Sequence, residues 1–252
     1  MSCRLTGSDG PFVDAHIIPR SFYPVHKAGE TPPLILRGEA KHYPKRSRIG
    51  VYDRTILTIE GERLLAPFDD HACEVLVRSV SRLNPVDDQK SPTGYQIEGA
   101  DYCKLKLFFI SLLWRASVSS QPMFTRVNLG KKFEERAKHL ILTVDPGSDD
   151  EFAVTLAGFE DKFESGIGIL DPIKARFAER NYYIFYLHHL IAYIKVDARP
   201  CEPPWDGTIL RRHSPAIIVN RGEFRKSKEF PVMQRILSTN HQYIPNSWSE
   251  SN

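Results

Sequence analysis

Paired cysteines are missing from this sequence. Its four cysteines, Cys3, Cys73, Cys103 and Cys201, are scattered over 252 residues and form no CxxC pair. Secreted disulfide scaffolds are shorter and richer in cysteine, so reduced thiols in a cytoplasmic protein are expected. A long apolar run is missing too. The most apolar stretch, residues 105–114, is interrupted by Lys106 and Ser111, whereas a membrane span needs roughly 20 apolar residues. Residues 1–10 are polar and offer no signal-peptide core. Charge of one sign is not in excess, because the formal net charge is only +3. The chain is therefore no polycation, and any nucleic-acid surface must come from local clusters of Lys and Arg. Internal repeats and low-complexity tracts are absent as well. Together these absences predict a soluble, cytoplasmic protein with no membrane partner.

The residues present suffice for a sizeable core, with 41% hydrophobic and 26% charged. Residues 11–23 read as a strand entering a turn at Pro19, and residues 51–59 as extended. Leu64, Leu65, Phe68, Ala72, Leu76 and Val80 recur at three- and four-residue steps, which predicts a helix over residues 62–83. Residues 84–96 carry Asn84-Pro85, Asp87-Asp88, Pro92 and Gly94, a breaker-rich stretch that suggests a boundary. A core helix is expected over residues 99–117 and another over 131–142. Alternation at Phe152, Val154 and Leu156, and aromatic and β-branched runs on either side of His188-His189, predict strands and a hairpin. Residues 215–219 read as a strand, and residues 224–237 as a helix interrupted at Pro231. The class is α+β, with an N-terminal module over residues 1–84 and a larger mixed region over residues 97–246.

The most informative phrase is Asp14-Ala15-His16-Ile17-Ile18-Pro19-Arg20. A short strand ending in His, two apolar residues and Pro resembles the first motif of the HNH (ββα-metal) nuclease superfamily. That resemblance implies a zinc knuckle built from two CxxC pairs. The matching phrases read Cys3-Arg4-Leu5-Thr6 and Ile56-Leu57-Thr58-Ile59-Glu60-Gly61-Glu62, so three of the four positions are Thr6, Thr58 and Gly61. None of these can replace a thiolate at tetrahedral zinc, and structural zinc is not expected. A module of this size without its metal must be held by packing. Phe12, Ile17, Ile56, Leu57, Leu64 and Leu65 are the expected contributors.

The resemblance also implies a chemistry. His16 occupies the general-base position, where it would take a proton from the water that attacks a phosphodiester. A hard divalent cation, Mg²⁺ or Mn²⁺, would polarise the phosphate through oxygen ligands. The usual acidic neighbour of the His is here Ala15, but Asp14 shares a strand face with His16. Asp53 stands at the position of the motif's Asn, to orient His16 or bind metal, and equally it begins the turn Tyr52-Asp53-Arg54. Glu62, Asp69 and Asp70 are candidate metal ligands from the helix. Glu62 and Asp69 share a face, whereas Asp69 and Asp70 diverge by about 100°. Each is equally readable as solvated helix charge or as a complement to the helix dipole. Arg20, Lys41, Lys45, Arg46 and Arg48 are candidate phosphate contacts, or simply an exposed loop. His188-His189 reads as a turn rather than a metal site.

The implied activity is DNA endonuclease cleavage, and zinc-containing relatives serve in antiviral and antiplasmid defence in bacteria. The missing cysteines and Ala15 keep open an alternative, a catalytically inactive nucleic-acid-binding or scaffold subunit of a multi-subunit system.

Overall fold

The computed structural model describes residues 2–23, 34–36, 45–46, 50–88, 90–163, 166 and 168–238. Its elements confirm the α+β class. A two-residue strand β1 (Ala15–His16) pairs antiparallel with β4 (Tyr52–Asp53), in the register Ala15↔Asp53 and His16↔Tyr52. Strands β2 (Leu34–Leu36) and β3 (Lys45–Arg46) fall between them in sequence but belong to another sheet. Helix α1 (Ile59–Cys73) follows β4. It starts where Thr58 turns its hydroxyl to the Gly61 N–H, and Glu60 and Glu62 complement its N-terminal dipole. A π turn (Glu74–Arg78) and a 3₁₀ turn (Val80–Arg82) extend it, so the helical stretch begins three residues before the predicted 62.

Residues 84–96, the breaker-rich stretch, carry regular structure. They form the hairpin β5 (Asn84–Val86) and β6 (Gly94–Gln96), which closes one edge of a nine-stranded sheet. Pro85 is compatible with that position because an outer strand has a neighbour on one side only, so a missing N–H is tolerated there. Further along come β7 (Val154–Gly158), β8 (Ile169–Phe177), β9 (Arg180–Leu187), β10 (Leu190–Lys195) and β11 (Ile217–Asn220). The strand order is β3-β2-β8-β9-β10-β7-β11-β6-β5. The β2–β8 and β7–β11 pairs are parallel and the others antiparallel.

Alternation explains why β9 and β10 are apolar throughout. Tyr183, Phe185, Leu187, Leu190, Ala192 and Ile194 point into the main core. Tyr182, Ile184, Tyr186, Ile191 and Tyr193 point into a second cluster with Phe224 and Met233. A strand covered on both faces needs no polar side. Met233 comes from α4 (Glu229–Ser238), where Pro231 lies in the first turn. An N–H there has no helical acceptor, so Pro231 is accommodated in the first turn rather than interrupting the helix.

Helix α2 (Tyr102–Val118) is the centre of the main core, with residues 105–116 all buried. It packs between α1 and α3 (Gly130–Thr143). Its N-cap is Asp101, whose carboxylate accepts the Lys104 N–H at 3.0 Å. The same core takes in Cys3, Leu5, Ile17, Ile18, Ile56, Leu57 and Leu65 from the N-terminal stretch. Phe22 stacks on Phe108 of α2 at 5.4 Å. The expected packing residues are thus in place, except that Phe12 is half-buried and Leu64 is exposed.

Candidate functional site

The β1–β4 ribbon followed by α1 sets two β-strands before one helix, and the residues of interest divide among its faces. Residues directly opposite in an antiparallel pair point the same way, and successive residues point opposite ways. His16 therefore shares a face with Tyr52, their ring centroids 6.1 Å apart. Asp53 shares the other face with Ala15.

Asp53 does not meet His16. It is fully buried, and one carboxylate oxygen accepts the Thr55 N–H (2.9 Å) and hydroxyl (2.6 Å). The other accepts the Ser119 hydroxyl (2.9 Å), the Ser120 N–H (2.8 Å) and the Ser120 hydroxyl (3.0 Å). Burial pushes its carboxyl up, but the donors from Thr55, Ser120 and Ser119 outweigh this and hold it at about 2. Asp53 thus ties the ribbon to the C-terminal end of α2 and has no lone pairs directed at the His16 face.

Asp14 is exposed and forked by Arg54 at 2.5 and 3.3 Å, which keeps its carboxyl below the ordinary range. Asp69 is forked by the buried Arg115 of α2, at 2.8 and 2.7 Å. Glu62 stands near the same charges. Burial pushes its carboxyl up, Arg115 pulls it back and Asp69 pushes it further. Its Oε2 is buried without a hydrogen-bond partner among the described residues. Glu62 and Asp69 therefore share a face, as their spacing predicts, and Asp70 is exposed away from it. Arg20 is exposed in a 3₁₀ turn (Arg20–Phe22). Lys45 and Arg46 form β3, and Lys41 and Arg48 lie outside the described residues.

No group of three or more His, Cys, Asp or Glu among the described residues is close enough to hold a metal ion. Two of the expected oxygen donors, Asp14 and Asp69, are taken by guanidinium groups, and Asp53 is turned away.

Cys3, Thr6, Thr58 and Gly61 are neighbours. A Cβ on Gly61 would lie 2.8 Å from Cys3 Sγ. The Gly61 N–H donates to Thr58 Oγ1 at 3.5 Å. Burial raises the Cys3 thiol, but hydrogen bonds from Thr6 and Thr58 prevail and bring it to about 7. The loop closes through Gly7 N–H to Cys3 C=O (2.8 Å), and the Arg4 N–H reaches Ile56 C=O (2.9 Å). The corner is thus built from one thiol, two hydroxyls and a glycine that leaves room for the sulfur. A groove of about 460 Å³ beside it is lined by Cys3, Arg4, Trp114, Glu134 and Lys138.

Arg115 escaped the sequence reading. Its signal is a cation near the end of an apolar helical run that also holds Lys106, since a charge at such a position is buried only when paired. Set against family models, curated proteins and solved structures, the chain finds no match in any of the three. No helix among the described residues is long and apolar enough to cross a membrane.

Proposed function

We propose that this chain is an HNH-like, nuclease-derived protein acting on DNA phosphodiesters, with His16 as the proton acceptor. The observation that supports this most is the meeting of Cys3, Thr6, Thr58 and Gly61 at one corner, beside a ribbon and helix in β-β-α order. Cys3 and Thr6 share one turn and Thr58 and Gly61 share the start of α1, and spacing in sequence does not require these two pairs to meet. His16 lies at the end of β1 on the half-buried face of the ribbon, where it can take a proton from an attacking water. The exposed Arg20 on the next turn is available to a phosphate. A role in defence against foreign DNA, as part of a multi-protein system, follows from the resemblance.

The second reading, an inactive DNA-binding or scaffold subunit, is favoured by the engagement of Asp53 and Asp69. Plasmid cleavage with Mg²⁺ or Mn²⁺, paired with a gel-shift on the same DNA, separates the two. In the first reading the wild type cleaves, and His16→Ala loses roughly 10²–10⁴-fold in rate while still binding. Binding without cleavage in the wild type selects the second reading. Neither binding nor cleavage removes both.

A further inference from the structure

We propose that Arg115 is a positioning residue for His16, a role that rests on the nuclease-derived reading. Its guanidinium is fully buried on α2. Nη1 donates to the His16 carbonyl at 2.9 Å and to Asp69 Oδ2 at 2.8 Å. Nη2 donates to Asp69 Oδ1 at 2.7 Å and to Ser111 Oγ at 3.3 Å, and Nε reaches the Ser111 carbonyl at 3.4 Å. One rigid, planar group therefore holds the backbone of β1, the carboxylate of α1 and its own helix in fixed relation.

The ribbon needs such a brace. Strand β1 has two residues and two register pairs, too few to be stable alone. The corner at Cys3 has no thiolate cage to stiffen it. Asp53 fixes β4 to residues 119–120 of the chain, and Arg115 fixes β1 at His16 itself, whose side chain is half-buried. The same guanidinium acts electrostatically on Glu62, whose buried Oε2 has no hydrogen-bond partner among the described residues. Through these contacts α2 sets where the His16 imidazole stands relative to α1.

The test uses the full chain and a labelling pattern that its sequence permits. His16-Ile17 is the one His-Ile step in the chain. Carbonyl-¹³C histidine with ¹⁵N isoleucine therefore yields a single NMR cross-peak that reports the His16 carbonyl. Arg115→Lys keeps the charge and loses the fork. The expected result is a displaced His16 carbonyl resonance in a variant that still melts cooperatively, with kcat for plasmid cleavage about 100-fold lower and KM within about twofold. Asp69→Asn, which frees the fork from its anchor without emptying the site, should displace the same resonance and lower kcat in the same direction. It carries the test if Arg115→Lys does not fold. An unmoved carbonyl resonance in either folded variant overturns the proposal. So does a moved resonance with kcat unchanged. A wild type that shows the resonance but never cleaves DNA removes the underlying nuclease reading instead, and the carbonyl signal still decides whether Arg115 grips β1.

Discussion

Asp53 illustrates how a single carboxylate can be claimed by structure. Five donors converge on it, from Thr55, Ser119 and Ser120. Asp53→Ala would leave these buried donors without an acceptor, each costing roughly 1–3 kcal/mol of desolvation before relaxation. The expected outcome is a loss of about 3 kcal/mol in urea unfolding, with the pattern of DNA binding retained. A fall in cleavage with no change in stability would instead make Asp53 a companion of His16. Its depressed carboxyl also fixes a sign. The group stabilises the fold fully above its unfolded value near 3.8 and ceases to do so as pH falls through about 2. Legibility at this scale stopped at the strand face. Register decides whether residue 53 looks toward His16, and a two-residue strand carries no alternation from which to read register. The Glu62–Asp69 face was legible because a seven-residue helical spacing needs no partner to define it. Arg115 was not, because its partner Asp69 lies 46 residues away.

At the scale of elements, the corner made by residues 3–7 and the start of α1 is open to a direct trial. Thr6→Cys, Thr58→Cys and Gly61→Cys introduced together should bind one equivalent of zinc and melt higher with the metal than without it. Without zinc the triple variant should melt below the wild type. A Cβ at position 61 meets the Cys3 sulfur at 2.8 Å and Leu57 at 3.0 Å, so the neighbours must give way. Metal analysis showing no zinc in a folded triple variant would contradict the knuckle resemblance. Helices α2 and α3 were legible from their apolar spacing over many turns. Strand β8 was not, for two local reasons. Pro172 sits inside it, where the register with β9 shifts between Leu170 and Ile173 to accommodate the absent N–H. Its hairpin to β9 turns on Ala178 and Glu179, both at positive φ, without the Asn or Gly that normally marks such a turn.

The whole molecule carries a pH dependence that belongs to no single site. His71, His188 and His189 are all lowered by burial. His188 stands at about 4, with the neighbouring His189 charge adding to the effect. His71 Nε2 accepts the Asp101 N–H at the start of α2, and His189 Nε2 contacts the Leu76 carbonyl. The unfolded chain takes up protons near pH 6.5 that the folded chain refuses. This part of the stability is therefore complete above about 6.5 and is lost as pH falls toward about 4. At about 1.4 kcal/mol per unit, His188 alone accounts for on the order of 3 kcal/mol. Urea midpoints should fall steadily across that window, and a flat profile would show that these imidazoles are not held neutral. At this scale the α+β class was legible from periodicity and from the aromatic runs. The continuous core was not, because polar breakers at residues 84–96 resemble a linker whether or not the hairpin they form joins a sheet.

The bond from Arg115 to the His16 carbonyl spans 99 residues of chain. During synthesis, β1 leaves the ribosome long before the residue that clamps it. At about 5–20 residues per second, the wait is of order 5–20 s. For that interval the apolar Ile17, Ile18 and Phe22 have no α2 to cover them. A nascent-chain partner able to shield this segment, or a slow codon stretch placed after α2, would change the yield of folded protein without altering one contact of the finished molecule.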